Sequence, residues 1–378
     1  MPSMGRRRTG ASVFAAGAVL VLATVAWCAD AELERRSDLL FLRRENPGAA
    51  RSAPVTYGQI MVERWTGEGP EAIKPMVQGA WYPRWSPDGQ LISFVQERID
   101  EKWWPHYDLH VWDLSGGSDT VLPAPEPSSL GAGPEWRPDG RALAFGSGLL
   151  SDEGLWLVDW PSGKSHRLTG TGCAESRLSW SADCGSLLFT RRGDDGSQAI
   201  VLDIASGQER IVSEPGVDVY TPRWLGPAGD LCYPLHGEGR DVLMVLRAGA
   251  QEAQEVQGVA TAQGGLWGIV PSPDGRTIAA SAKSSTTGKH CIRLTPVDGS
   301  EGFEVPSPAP EPAPLQRIAW SSDGRYLAFD ADMGGQRDVF VLDVAERSTE
   351  RVTDGPDDDL WPIWRPARAD GAVGDGGR

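Results

Sequence analysis

The chain has 378 residues, 40% of them hydrophobic, and carries 52 acidic against 36 basic side chains for a net charge of −16. That length and apolar content are enough for a large core, and the acidic balance excludes a nucleic-acid backbone or an anionic lipid surface as partner, because either would be repelled. The first residues place Arg6, Arg7 and Arg8 ahead of an apolar run over 11–26, with Ala29 and Ala31 after it. This order predicts a secretory signal peptide over 1–31, cleaved after Ala31, and a periplasmic or secreted mature protein. A retained anchor is the alternative, but the apolar run is short for a full span and no later stretch is long enough for one. Trp27 is too large for the position before a lipidated Cys28, so lipidation is not expected. Four cysteines follow the leader, Cys173, Cys184, Cys232 and Cys291. Cys173 and Cys184 fall near opposite ends of one predicted strand, too far apart to bond, and mostly free, semi-buried thiols are expected.

From Trp85 onward the chain repeats itself. "WSPDGQLISF" from Trp85 returns as "WRPDGRALAF" from Trp136, "WSADCGSLLF" from Trp180, "WLGPAGDLCY" from Trp224, "PSPDGRTIAA" from Pro271 and "WSSDGRYLAF" from Trp320, with a truncated copy at Trp364. Pro presets φ and Gly accepts positive φ, so each copy reads as a strand, a tight turn and a second strand. Downstream of each copy an alternating apolar strand runs into a turn, as in "AIVLDIASGQ" from Ala199 and "DVFVLDVAERS" from Asp338, and a short last strand follows. Spacings of 44 to 51 residues are the period of a four-stranded propeller blade. Such sheets cannot cover their own apolar faces and are stable only when packed radially. The motif tryptophans are therefore assigned to packing between blades, and the turn carboxylates Asp88, Asp139, Asp183, Asp274 and Asp323 to the turns themselves.

The segments from Asp38 and Tyr57 match the second, third and fourth strands of a blade that lacks its tryptophan-bearing first strand, and the missing strand stands at "LWPIWRP" from Leu360. The fold class predicted is all-β, a seven-bladed β-propeller of four-stranded blades over 32–366, closed by a C-terminal inner strand joining an N-terminal partial blade. Six blades are the alternative, and 367–378 are expected to be a disordered tail. Two Pro-rich stretches, from Val121 and from Val305, are read as linkers between blades, and "ERIDEKWWPHYD" from Glu97 as a long aromatic connection.

Tryptophan, Ser-Pro-Asp-Gly, a Leu-Ala-Phe-like strand, an aliphatic strand ending in Asp and a closing Leu-Thr strand together resemble the WD40-like repeat of the TolB-type β-propellers. The resemblance covers about 38–366 and implies the propeller without the α/β domain that precedes it in TolB. It says little of function, since one fold carries many tasks. Related propellers accompany serine peptidase domains of the prolyl oligopeptidase kind, but no G-x-S-x-G elbow occurs in this sequence. A pectate-oligomer lyase propeller would need converging histidines, whereas His106, His110, His166, His236 and His290 stand at unrelated repeat offsets. Neither a metal site nor a cofactor is expected.

The resemblance also implies that first strands line a central channel. Four positions before the aligned anchor stand Trp81, Ala132, Ser176, Tyr220, Trp267, Gln316 and Leu360, with Tyr82 and Trp361 one position later. Acids lie just outside, notably Asp218 and Asp358. Aromatic faces beside hydrogen-bonding acids suit an extended peptide or a sugar, so Trp81, Tyr82, Tyr220, Trp267, Trp361, Asp218 and Asp358 are the candidate ligand-binding residues. The sequence thus predicts an exported monomer that is not an enzyme and binds a protein, peptide or glycan at the channel face. The alternative is a hydrolase or lyase using acids at the channel.

Overall fold

The computed structural model describes residues 38–44, 59–64 and 80–367, apart from 100–104, 124–132, 148–153, 171–174, 194–195, 215, 217, 238–239, 257–265, 285 and 311–314. The expected leader, the fourth strand of the first blade and residues 368–378 lie outside the described residues. All described regular structure is β, and it falls into seven antiparallel sheets. Blade 1 has three described strands, Gln59–Arg64, Asp38–Arg44 and Asp358–Trp364, in that spatial order. Blades 2 to 7 follow in chain order over 80–121, 135–167, 175–211, 218–255, 267–306 and 316–351. Each is a four-stranded meander running outward, except that the first strand of blade 5 comes in two pieces, Asp218–Val219 and Arg223–Leu225.

The ring closes as the split repeat requires. Asp358–Trp364 pairs with Asp38–Arg44 through Leu42↔Leu360 and Leu39↔Trp364, and Asp38–Arg44 pairs with Gln59–Arg64. The two ends of the described chain therefore share one sheet, and opening the ring means breaking that sheet.

Burial falls off from the middle of each blade to its rim. The second strand of blade 3, Ala142–Ser147, is buried at every position, because small and aliphatic side chains meet a neighbouring blade on both faces. The outermost strands Ser118–Val121 and Ser348–Arg351 are exposed throughout. The core is divided into seven apolar clusters, each bridging two adjacent blades; Leu40, Leu42, Ile60 and Val62 of blade 1, for example, pack on Ile92 and Phe94 of blade 2. Each fully buried side chain of this size contributes roughly 1.5–3 kcal/mol, so an interface gains stability only when both its blades are present.

The repeated motif serves these interfaces. The indole N–H of Trp85 donates to the Ile363 carbonyl at 3.4 Å, that of Trp180 to Glu135 at 3.2 Å, that of Trp224 to Ser179 at 3.0 Å and that of Trp320 to Val270 at 2.9 Å. Every acceptor is the residue just before the preceding blade's own anchor. In the turn, Ser86 Oγ donates to Asp88 Oδ1 at 2.6 Å and Gly89 takes φ 65°. Ser181–Asp183, Ser272–Asp274 and Ser321–Asp323 repeat this geometry, which holds those carboxyls in place for the turn.

Two expectations need qualification. The stretch from Glu97 is mostly paired strand rather than a long connection, since Leu91–Ile99 and Pro105–Asp113 run on through Glu97↔Tyr107 and Ile99↔Pro105. Only 100–104, with Trp103 and Trp104, lie beyond the description. Cys184, Cys232 and Cys291 are free thiols, and Cys173 lies outside the described residues. Among the described residues no helix is long and apolar enough to cross a membrane.

Candidate functional site

The first strand of a blade is interrupted at one repeat position. In blades 1, 2, 4, 6 and 7 its pairing register shifts two or three residues before the anchor, the signature of a β-bulge. At three residues before the anchor the backbone enters the left-handed region at Tyr82 (φ 52°), Arg177 (61°), Thr221 (46°), Gly268 (58°), Arg317 (49°) and Trp361 (59°). A non-glycine residue there costs roughly 1–2 kcal/mol. Repetition of that strain on one ring of positions is a built feature, and bulges of this kind re-aim side chains.

At the seventh equivalent position stands Gly133. A Cβ there would lie 2.8 Å from the Tyr82 Cβ, so the close approach of Tyr82 requires glycine. From this point side chains stack around the ring. The Tyr82 ring lies 5.5 Å from the Trp361 ring and nearly parallel to it, at 9°. The Arg317 guanidinium sits 4.9 Å from the centre of the Trp361 ring. Blades 7, 1, 2 and 3 thus share one continuous layer, Arg317–Trp361–Tyr82–Gly133. Trp81 is half-buried against the cluster between blades 1 and 2, its ring 6.1 Å from that of Trp361.

Two further arginines, Arg84 and Arg223, stand one residue before their anchors. Arg84 Nε donates to Glu135 Oε1 of the next blade at 2.9 Å, and Arg223 Nη1 donates to its neighbour's carbonyl, Pro222, at 3.1 Å. Arg317 is acted on by the charges of Arg84, Arg177 and Arg223. These residues belong to blades 7, 2, 4 and 5. First strands of blades that are not neighbours can approach one another only across the central axis, so these charges act on one another across it. Burial, and then the neighbouring arginines, push the Arg317 pKa down to about 10. Arg223 is likewise held below the ordinary arginine range by burial, with Glu135 opposing. Arg317 remains charged at neutral pH.

The other sequence-derived candidates lie around this ring. Tyr220 is exposed. Trp267 opens the first strand of blade 6 and pairs with Ser281, its side chain lying outside the description. Asp218 accepts the Ser197 N–H at 2.8 Å from the neighbouring blade. Asp358 is engaged by Arg44 and by the Arg337 N–H at 3.0 Å, where it joins blades 1 and 7. Asp330, Asp338 and Asp359, all fully buried, are each ion-paired, with Arg337, Arg351 and Arg43 respectively. Among the described residues no three His, Cys, Asp or Glu side chains gather as a metal cluster. Sequence reasoning missed the arginines, although they occupy two fixed offsets, because attention fell on the position four residues before the anchor and on aromatic side chains.

No model of a known protein family matches the chain. Over 109 residues it is 28% identical to a Bacillus subtilis (strain 168) protein named an uncharacterized peptidase, YuxL; the match takes in 29% of this chain and 16% of that protein. Among solved structures, TolB from Acinetobacter baumannii superposes on 92% of this chain and 71% of its own, with a TM-score of 0.56 and 15% identity. A prolyl endopeptidase superposes on 90% of this chain and 55% of its own, with a TM-score of 0.60 and 14% identity. At such identity the structures show the fold alone, a TolB-like seven-bladed propeller. The expectation that the chain is not an enzyme is corrected by the first of these findings, since the curated relative that the chain matches is itself named a peptidase.

Proposed function

We propose that this chain is an exported propeller that binds a peptide at its channel face and serves peptide processing, either as the recognition part of an enzyme or beside one. The observation that carries the reading is the stacked layer of Arg317, Trp361 and Tyr82, set on a backbone held in the left-handed region at all three residues. Rings already fixed by stacking on one another have little entropy to lose when a ligand packs along them, which suits an extended chain. The likeness to a protein named a peptidase favours a peptide over a sugar. Trp361→Ala is expected to weaken peptide binding by roughly 1–3 kcal/mol, as at an interface hot spot, in addition to the lower melting temperature that loss of its packing on blades 1 and 2 brings. A destabilised variant with unchanged affinity would assign Trp361 to packing and remove the reading.

Export rests on the basic, apolar and small-residue order of the leader. Mass spectrometry of protein from its own host is expected to find a mature start at Glu32. An intact Met1 in a cytoplasmic fraction would count against it.

A further inference from the structure

The protein is strongly acidic, yet its channel is not. Four arginines at the first strands of blades 2, 4, 5 and 7 act on one another through their charges, while Glu135 pairs with Arg84 and acts on Arg223, and Asp330 is acted on by Arg317. Like charges acting on one another across the axis repel, and Arg223 and Arg317 also lose water through burial, whereas Arg177 is exposed. At the repeat position of Arg84 and Arg223, other blades carry Val270, Ala319 and Ile363, which pack against the apolar clusters between blades, so arginine is not what packing alone requires there. Among the described residues neither Arg177 nor Arg317 has a carboxylate partner. Arg317 lies over the face of Trp361, acts on Asp330 through its charge and makes no hydrogen bond among the described residues, and Arg223 donates to the carbonyl of the preceding residue, Pro222. Guanidiniums that outnumber the carboxylates acting on them, Glu135 and Asp330, form a receptor for a planar oxyanion, because each presents a fork of donors matched to a carboxylate.

We infer that the central channel is a carboxylate-binding site, formed by Arg84, Arg177, Arg223 and Arg317, through which this propeller selects acidic peptides. The inference rests on the peptide-binding reading above and adds the class of side chain that is recognised. The exterior bears on the size of the ligand. A surface of net charge −16 repels a long polyanion, whereas a short segment carrying one or two carboxylates passes that field and gains the local positive one. The aromatic layer of Tyr82 and Trp361 stands beside Arg317 and would hold the apolar remainder of the same segment. Glu135 acts as a built-in competitor, since it already occupies Arg84 and opposes the charge of Arg223.

The test is capture of a random-sequence octapeptide library, in free-acid and C-terminally amidated forms, on the purified mature protein, read by mass spectrometry. Captured peptides are expected to be enriched at least tenfold in Asp and Glu. Retention of that enrichment in the amidated form identifies side-chain carboxylates as the source, and its confinement to the free-acid form identifies the chain terminus. Arg317→Gln with Arg223→Gln should abolish the enrichment. Glu135→Gln, which removes no arginine, should raise affinity for a captured acidic peptide severalfold and steepen its loss with added salt. If the double variant fails to fold, as judged by its melting curve, the Glu135→Gln arm decides alone. Peptides captured without acidic enrichment would overturn this inference and leave the peptide-binding reading standing. No capture at all would overturn both, and capture of an acidic oligosaccharide in place of any peptide would move the site to another ligand class and end this one.

Discussion

Thr221 shows in one residue what the channel ring demands of the backbone. It is β-branched, yet it is held at φ 46°, where branching at Cβ is most costly, and its buried hydroxyl has no hydrogen-bond partner among the described residues. The equivalent position of the next blade, Gly268, reaches φ 58° with nothing within 4 Å of where its Cβ would stand. Thr221→Gly should therefore relieve both the strain and the orphaned hydroxyl. Against that stand the added freedom of glycine in the unfolded chain and the lost methyl contacts, which together cost about 1 kcal/mol. The balance predicts a stabilisation of about 1 kcal/mol, measured as a higher midpoint in urea at unchanged slope. A lower midpoint would mean that Thr221 makes packing contacts worth more than its strain.

At the scale of the element, the strands and turns were legible while the bulge inside each first strand was not. The anchors Trp85, Trp136, Trp180, Trp224 and Trp320 recur with turn chemistry that admits one local solution, and a strand missing at one end of the chain and present at the other leaves one way to close the ring. Even Cys184, which takes the glycine position of its turn at φ 63°, conforms to a geometry fixed by the neighbouring copies. The bulge carries no such signature. Glycine at Gly133 and Gly268 hints at it, but Tyr82, Arg177, Arg317 and Trp361 occupy the same position with bulky side chains that local propensity argues against. Strand alternation read through the bulge assigns side chains to the wrong face by one residue. The sequence reading consequently centred on Trp81, Trp267 and their equivalents rather than on the ring of Tyr82, Arg317 and Trp361 beside them. The charge interaction among Arg84, Arg177, Arg223 and Arg317 depends on that same shift and on approach across the axis, which no pattern along a single strand contains.

The whole molecule depends on the seam between blades 7 and 1, and that seam is charged. Asp359 is bound by two bonds from Arg43, at 2.8 and 2.9 Å, within blade 1. Asp358 accepts the Arg337 N–H of blade 7, and Asp330 of blade 7 accepts from Arg337 Nε at 2.7 Å and from the Trp361 N–H of blade 1 at 3.4 Å. Burial pushes the Asp330 carboxyl up to about 6 against the opposing pull of Arg337, and it raises Asp338 and Asp359 in the same sense. A carboxyl whose folded pKa lies above its unfolded one binds more protons when folded. Its contribution to stability is fully present below the unfolded value, near 3.9, and is lost as pH rises through about 6. For Asp330 this amounts to at most about 3 kcal/mol. The turn carboxyls Asp183 and Asp274 behave oppositely. Hydrogen bonds from Ser181 and Ser272 hold them below the usual range, so their contribution is present above the unfolded pKa and is lost only at pH below about 4. The two windows do not overlap, and the net charge of −16, whose self-repulsion eases on acidification, acts in the direction of the seam. Thermal stability should therefore rise as pH falls from 7 and pass through a maximum between about 4 and 6. Asp330→Asn separates the seam from the general charge effect: the variant should keep the part of the rise that comes from reduced repulsion and lose the part that titrates near pH 6. Melting curves of both proteins across pH 4 to 8 decide the matter. A parallel pH profile for the variant would show that Asp330 does not titrate in this range and that the seam is held at constant charge.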